Sequence, residues 1–109
     1  MTTTVVNVKR DSYDVYIGRF NSRYGLTPSI FRNPFKLNKD GRRSEVLEKF
    51  EDYFKTEYRD DSQYWNIQLD ALRGKRLGCW CKPSACHGDL IGRLADMNRN
   101  ERNAWAGLE

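Results

Sequence analysis

Residues 42–58 place Val46, Leu47, Phe50, Tyr53, Phe54 and Tyr58 at intervals of three and four, with Glu and Lys filling much of the space between. That spacing predicts an amphipathic helix with one apolar face. Such a helix owes most of its stability in a protein to the surface that covers that face. The fold must therefore supply a covering layer, and the flanking sequence offers strands. Val5-Val6-Asn7-Val8 and Val15-Tyr16-Ile17-Gly18 are short β-branched runs separated by turn-forming residues 10–14, which predicts a hairpin or two neighbouring strands. Lys75–Cys81 predicts a further strand. Between it and the long helix, Ser62 can cap a shorter helix carrying Trp65, Leu69 and Leu72, which Gly74 ends. A last helix starts near Cys86-His87 and carries Leu90, Ile91 and Leu94.

Strand, helical crossover, strand is the pattern of a parallel βαβ unit. The expected fold is α/β: a single small layered domain over residues 1–97, with a short mixed sheet, about three helices and a Rossmann-like core. Residues 98–109 are expected to form a polar C-terminal tail. At 109 residues and 39% hydrophobic composition, the chain can fill one modest core but not two.

Residues 19–40 lack periodicity and combine Gly25, Pro28 and Pro34 with Phe20, Tyr24, Phe31 and Phe35. A stretch this long without regular structure is expected to be a functional loop, or a surface loop that covers the core with Phe31 and Phe35.

The net charge of +4 is unevenly spread. Basic segments at both ends flank an acidic stretch at 44–72, so both can feed one electropositive face suited to anionic partners. No apolar run reaches the length of a membrane span, and residues 1–8 lack the pattern of a secretory signal. A cytoplasmic protein with no membrane contact is expected. Its three cysteines all fall within 79–86, which excludes a disulfide framework.

Chemistry concentrates in Gly78-Cys79-Trp80-Cys81-Lys82-Pro83-Ser84-Ala85-Cys86-His87-Gly88-Asp89. On a strand, Cys79 and Cys81 would share one face, with Trp80 on the other. Cys86 and His87 would sit at a helix N-terminus, where free N–H groups favour thiolates and phosphates. Three readings stay open. Cys86 or His87 could be catalytic, or the cysteines could be small buried hydrophobes beside a capping histidine. The third is a zinc site on Cys79, Cys81, Cys86 and His87, whose spacing suits zinc poorly. No metal and no cofactor are expected.

The chain resembles the bacterial and phage family known as domain of unknown function 4326. The resemblance rests on Val5-Val6-Asn7-Val8 with Arg10, Tyr16-Ile17-Gly18-Arg19, Asn33-Pro34-Phe35, Gly41-Arg42-Arg43, the segment Gly74–Pro83 and Cys86-His87-Gly88-Asp89. It spans roughly residues 5–95, and the stretch between Arg19 and Asn33 is longer than the family's usual connection. The resemblance implies a compact α/β domain with a site at these motifs, but names no reaction. Its phage context implies a sequestering or inhibitory role as one option.

Arg10, Arg19, Asn33, Arg42, Arg43, Cys79, Cys81 and Gly88 are the expected ligand-binding residues, and His87, Cys86 and Asp89 the expected catalytic ones. Cations, helix N-termini and a close-approach glycine are parts of an anion pocket. Tyr16, Trp80 or Phe35 can stack on a base or sugar. The expected function is recognition of a nucleotide or nucleotide-derived anionic metabolite, with hydrolysis or transfer of part of it. The alternative is a binding module that performs no chemistry. Nucleic acid is a less favoured partner, because no recognised nucleic-acid-binding motif is present.

Overall fold

The computed structural model describes residues 2–108. Its strands are β1 (Thr4–Asn7), β2 (Val15–Tyr16) and β3 (Arg76–Cys79). Its α-helices are α1 (Arg43–Asp60), α2 (Ser62–Leu72), α3 (His87–Asp96) and α4 (Arg99–Ala106). The long helix forms where the periodicity predicts it. Arg42 precedes its first turn, and the Glu45 carboxylate accepts the Arg42 backbone N–H at 2.9 Å. The buried stripe is Val46, Phe50, Phe54 and Tyr58. Its cover includes Trp65 of α2, whose ring centroid lies 4.9 Å from that of Phe54. Asp61, rather than the expected Ser62, caps α2 by accepting the Tyr64 N–H at 3.1 Å. Both residue types cap well, and Asp61 is the non-helical residue directly before the first turn, where a capping side chain sits.

β3 is the central strand, with β1 on one side and β2 on the other, and both pair with it in parallel. The α/β class is as expected, but the named strands form a parallel sheet rather than a mixed one. β1 and β2 do not pair as a hairpin. Asn7 explains the difference: its carbonyl accepts the N–H groups of Arg10 and Asp11, turning the chain as β1 ends. Its side-chain amide donates to the carbonyls of Lys82 at 2.8 Å and Trp80 at 3.3 Å. Residues 8–14 then cross over β3 to start β2, whereas parallel neighbours usually need about a dozen residues. Asp14 ends the crossing with two bonds to Arg76, one backbone and one through its carboxylate, each 2.8 Å.

Gly78 makes that crossing possible. A Cβ there would lie 2.7 Å from Val8 Cγ1 and 2.8 Å from the Tyr13 ring. Gly78→Ala is expected to lift the crossover and lower stability by about 1–3 kcal/mol, read as a lower urea midpoint.

On the opposite face, Leu77 and Cys79 are buried where α3 packs on β1 and β3. α1 and α2 pack on α3, and α4 packs on α1. The expected polar tail is thus helical over Arg99–Ala106, with Arg102 and Ala106 fully buried. It carries no apolar stripe because its main anchor is an arginine. Among the described residues, no helix is long and apolar enough to cross a membrane.

Candidate functional site

β3 ends at Cys79 and α3 begins after Cys86, so the loop between them turns at the carboxyl edge of the sheet. A cleft of about 120 Å³ opens there. Gly18, Val46, Cys79, Cys86 and His87 form its buried lining, while Arg19 and Leu37 are exposed. Trp80 and Phe35 add aromatic surface. An apolar cavity of about 150 Å³ can hold benzene, so this one has room for about one ring.

Seven of the residues expected to form the site line this cleft: Arg19, Asn33, Arg43, Cys79, Cys81, Cys86 and His87. They come from β2's exit, the 19–40 loop, α1, the end of β3 and α3. Arg43 is held by donating to the Ala85 carbonyl at 2.9 Å, which ties α1 to the loop before α3. Asn33 uses its side-chain oxygen to accept the Phe35 N–H at 2.9 Å, which shapes the loop bearing Phe35. Elsewhere in that loop Phe31 is buried against Phe54 and Trp65, so the segment both covers the core and lines the cleft.

Four expected site residues lie outside the lining. Arg10 donates to the Lys82 carbonyl at 3.0 Å, and Arg42 is the cap residue of α1. Asp89 accepts the Cys86 N–H at 3.1 Å and pairs with Lys82, fixing the loop and the first turn of α3. Gly88 provides close helix–sheet contact, since a Cβ there would lie 2.7 Å from Ile17 Cδ1 and 2.9 Å from Val5 Cγ1. Of the candidate stacking residues, Trp80 and Phe35 line the cleft. Tyr16 instead supports Trp80, accepting its indole N–H at 2.8 Å and donating to the Arg19 carbonyl at 2.6 Å. Gly18, Leu37, Val46 and Leu47 complete the lining and carried no chemical signal in the sequence.

The two buried sulfurs are the most unusual feature. Cys79 Sγ and Cys86 Sγ lie 3.1 Å apart as free thiols. The backbone N–H groups of Cys81 and Lys82 also serve Cys79. The hydrogen bond from Cys86 outweighs burial and, with those N–H groups and the Lys82 charge, brings the Cys79 thiol down to about 6. Cys86 moves the other way, raised by holding its proton toward Cys79, by burial and by the Cys79 charge. The two shifts run in opposite directions, which makes Cys79 the more readily ionised thiol of the pair.

His87 Nε2 lies 2.8 Å from the Ile17 carbonyl, which can only accept, so Nε2 carries the proton. The ring stands edge-on to Phe50 at 5.1 Å. Burial lowers its pKa, partly offset by the Ile17 carbonyl, with the Arg19 charge acting in the same direction as burial. Burial rather than the helix field is the leading cause. The neutral imidazole is favoured in the fold, so its contribution to stability is full above the unfolded value of about 6.5 and is lost as pH falls below it. A series of urea midpoints between pH 6.5 and 5 should show this loss, and His87→Gln should reduce its slope below about pH 6.5. Among the described residues, no three His, Cys, Asp or Glu side chains gather as a metal site. The Cys79, Cys81, Cys86 and His87 set is not assembled as four ligands, and His87 Nε2 is already engaged.

Comparison with known proteins places these features in a family. An uncharacterised 12.4 kDa protein of Enterobacteria phage T4, from the nrdA-td intergenic region, is 34% identical over 95 residues, spanning 84% of this chain and 76% of its own. The uncharacterised protein R718 of Acanthamoeba polyphaga mimivirus is 32% identical over 106 residues, spanning 83% of this chain and 77% of its own. No solved structure matches the chain. The family model described as domain of unknown function (DUF4326) matches residues 4–97, and the chain belongs to that family.

Proposed function

We propose that this protein recognises a small anionic, nucleotide-like ligand in the cleft beyond β3. The observation that carries this reading is the meeting of Arg19 and Arg43 with an aromatic wall at the carboxyl edge of a parallel sheet. Open α/β sheets bind ligands at that edge. Arg19 and Arg43 supply planar donors for a phosphate or carboxylate, and Trp80 and Phe35 supply faces for a ring. The cleft has room for one ring, which favours recognition of part of a nucleotide over enclosure of a whole one.

The sequence suggests acid–base work by His87 and Asp89. Their bonds to Ile17 and to the Cys86 N–H instead favour a role in holding the site's shape. Any hydrolysis or transfer then falls to the thiols, and without them the cleft is a binding module. Calorimetric titration with nucleoside monophosphates and sugar phosphates tests the reading. At least one probe is expected to bind, and Arg19→Ala and Arg43→Ala should each weaken it about tenfold, or about 1.4 kcal/mol. Unchanged affinity in both variants would overturn the proposed pocket.

A further inference from the structure

We infer that Cys79 is a nucleophilic thiolate that bonds covalently to an electrophilic carbon of the anionic ligand, with Cys86 as its hydrogen-bond donor. This deepens the proposed function and rests on it for the ligand's charge, while the nucleophile itself stands on separate geometry. Buried cysteines in apolar surroundings are ordinarily inert. Cys79 differs in three respects. Its sulfur lies 3.1 Å from another thiol, close enough for an S–H donor to face it. The backbone N–H groups of Cys81 and Lys82, in the loop that follows it, favour its charged form. It also lines the cleft rather than facing only core side chains.

Cys86 is placed to assist rather than attack. Its sulfur faces Cys79, and it stands at the start of α3, held by the Asp89 bond to its N–H. Cys81 lines the same cleft and is half-buried, so it is the natural internal competitor. In the reaction, a Cys79 sulfur lone pair forms the S–C bond. The bond from carbon to the leaving group breaks, and its electron pair departs with that group. A basic leaving group takes the Cys86 proton, leaving Cys86 as the thiolate; a weakly basic one departs as the anion, and Cys86 keeps its proton. No oxidant or metal enters the balance.

Limiting alkylation of the reduced full-length chain at pH 7, with the modified cysteine mapped by mass spectrometry, tests the inference. With iodoacetamide, iodide leaves and the adduct is expected first on Cys79, about tenfold or more ahead of Cys81 and Cys86. Cys86→Ala should slow Cys79 alkylation about threefold, since the more basic thiolate left behind is more nucleophilic, and Cys86→Ser, which keeps a donor, should retain more of the rate. First reaction at Cys81 or Cys86, equal rates at all three, or no effect of Cys86→Ala would overturn it. Mapping of the unsubstituted protein decides between these outcomes even where a variant fails to fold.

Iodoacetate separates this inference from the cleft's charge. Arg19 and Arg43 should make the anion at least as fast as the neutral reagent, and Arg19→Ala with Arg43→Ala should reverse that order. If the preference is absent while Cys79 still reacts first with iodoacetamide, the anion pocket fails and the nucleophile stands.

Discussion

Replacing Arg102 by alanine is expected to destabilise the protein by about 2–4 kcal/mol through the lost buried volume and hydrogen bonds, a large share of the roughly 5–15 kcal/mol that holds a small domain folded. Arg102 is completely buried. Its Nε donates to the Leu94 carbonyl at 2.7 Å and Nη2 to the Ala95 carbonyl at 3.2 Å, meeting two carbonyls at the end of α3. Nη1 reaches Asp70 at 2.8 Å and Asn66 Oδ1 at 2.9 Å on α2. One guanidinium thus joins α2, α3 and α4. Burial pushes the Asp70 carboxyl up, but bonding to Arg102, with help from Arg99 and Arg73, outweighs it and holds the carboxyl below its usual value. Alanine would leave a void, remove one of the two donors to each of the Leu94 and Ala95 carbonyls, and take from Asp70 its closest partner. Arg102→Lys should recover little, since one ammonium cannot span these acceptors. Urea unfolding of both variants checks the expectation, and a loss under about 1 kcal/mol for Arg102→Ala would contradict it.

The second large effect concerns the thiol pair. Ultraviolet thiolate absorbance should show one cysteine titrating near a midpoint of about 6. Cys79→Ser should abolish that step, and Cys86→Ala should move it toward the free-thiol value of about 8.5. At pH 7 the Cys79 thiolate fraction would then fall from most of the population to a few per cent, roughly thirtyfold. The depressed pKa of Cys79 contributes stability that is fully present above the unfolded value and lost as pH falls toward 6. Cys86, raised in the fold, opposes this once the unfolded thiol begins to ionise. Stability from the pair should therefore rise from pH 6 to about 8.5 and decline beyond it. A midpoint at the ordinary thiol value in the unsubstituted protein would contradict the assignment of charge to Cys79.

Much of this architecture is legible in the sequence, and the exceptions have physical causes. The spacing of Val46, Phe50, Phe54 and Tyr58 identifies α1 because its period is that of a helix. Cys86-His87 marks the start of α3, where Cys86 is indeed the cap residue. Short runs such as Val5–Val8 and Val15–Gly18 announce strands but not their partners, since β propensity does not specify a neighbour. The turn at Asn7 and the bare backbone at Gly78 decide the pairing. α4 escapes a search for apolar periodicity because its buried face centres on Arg102. Cys79 and Cys81 are expected to share a strand face, but β3 ends at Cys79. Its contact with Cys86 depends on the later return of α3, which strand alternation does not encode.

Amide chemical-shift mapping of the nitrogen-15-labelled protein, titrated with nucleoside monophosphates, is the sharpest test of ligand recognition in the cleft. Saturable shifts are expected at Gly18, Arg19, Phe35, Arg43 and Cys79–His87, and the Arg19→Ala and Arg43→Ala variants should reduce them without altering the rest of the spectrum. Saturable shifts centred on another surface, or none with any nucleoside monophosphate, would contradict recognition at this site.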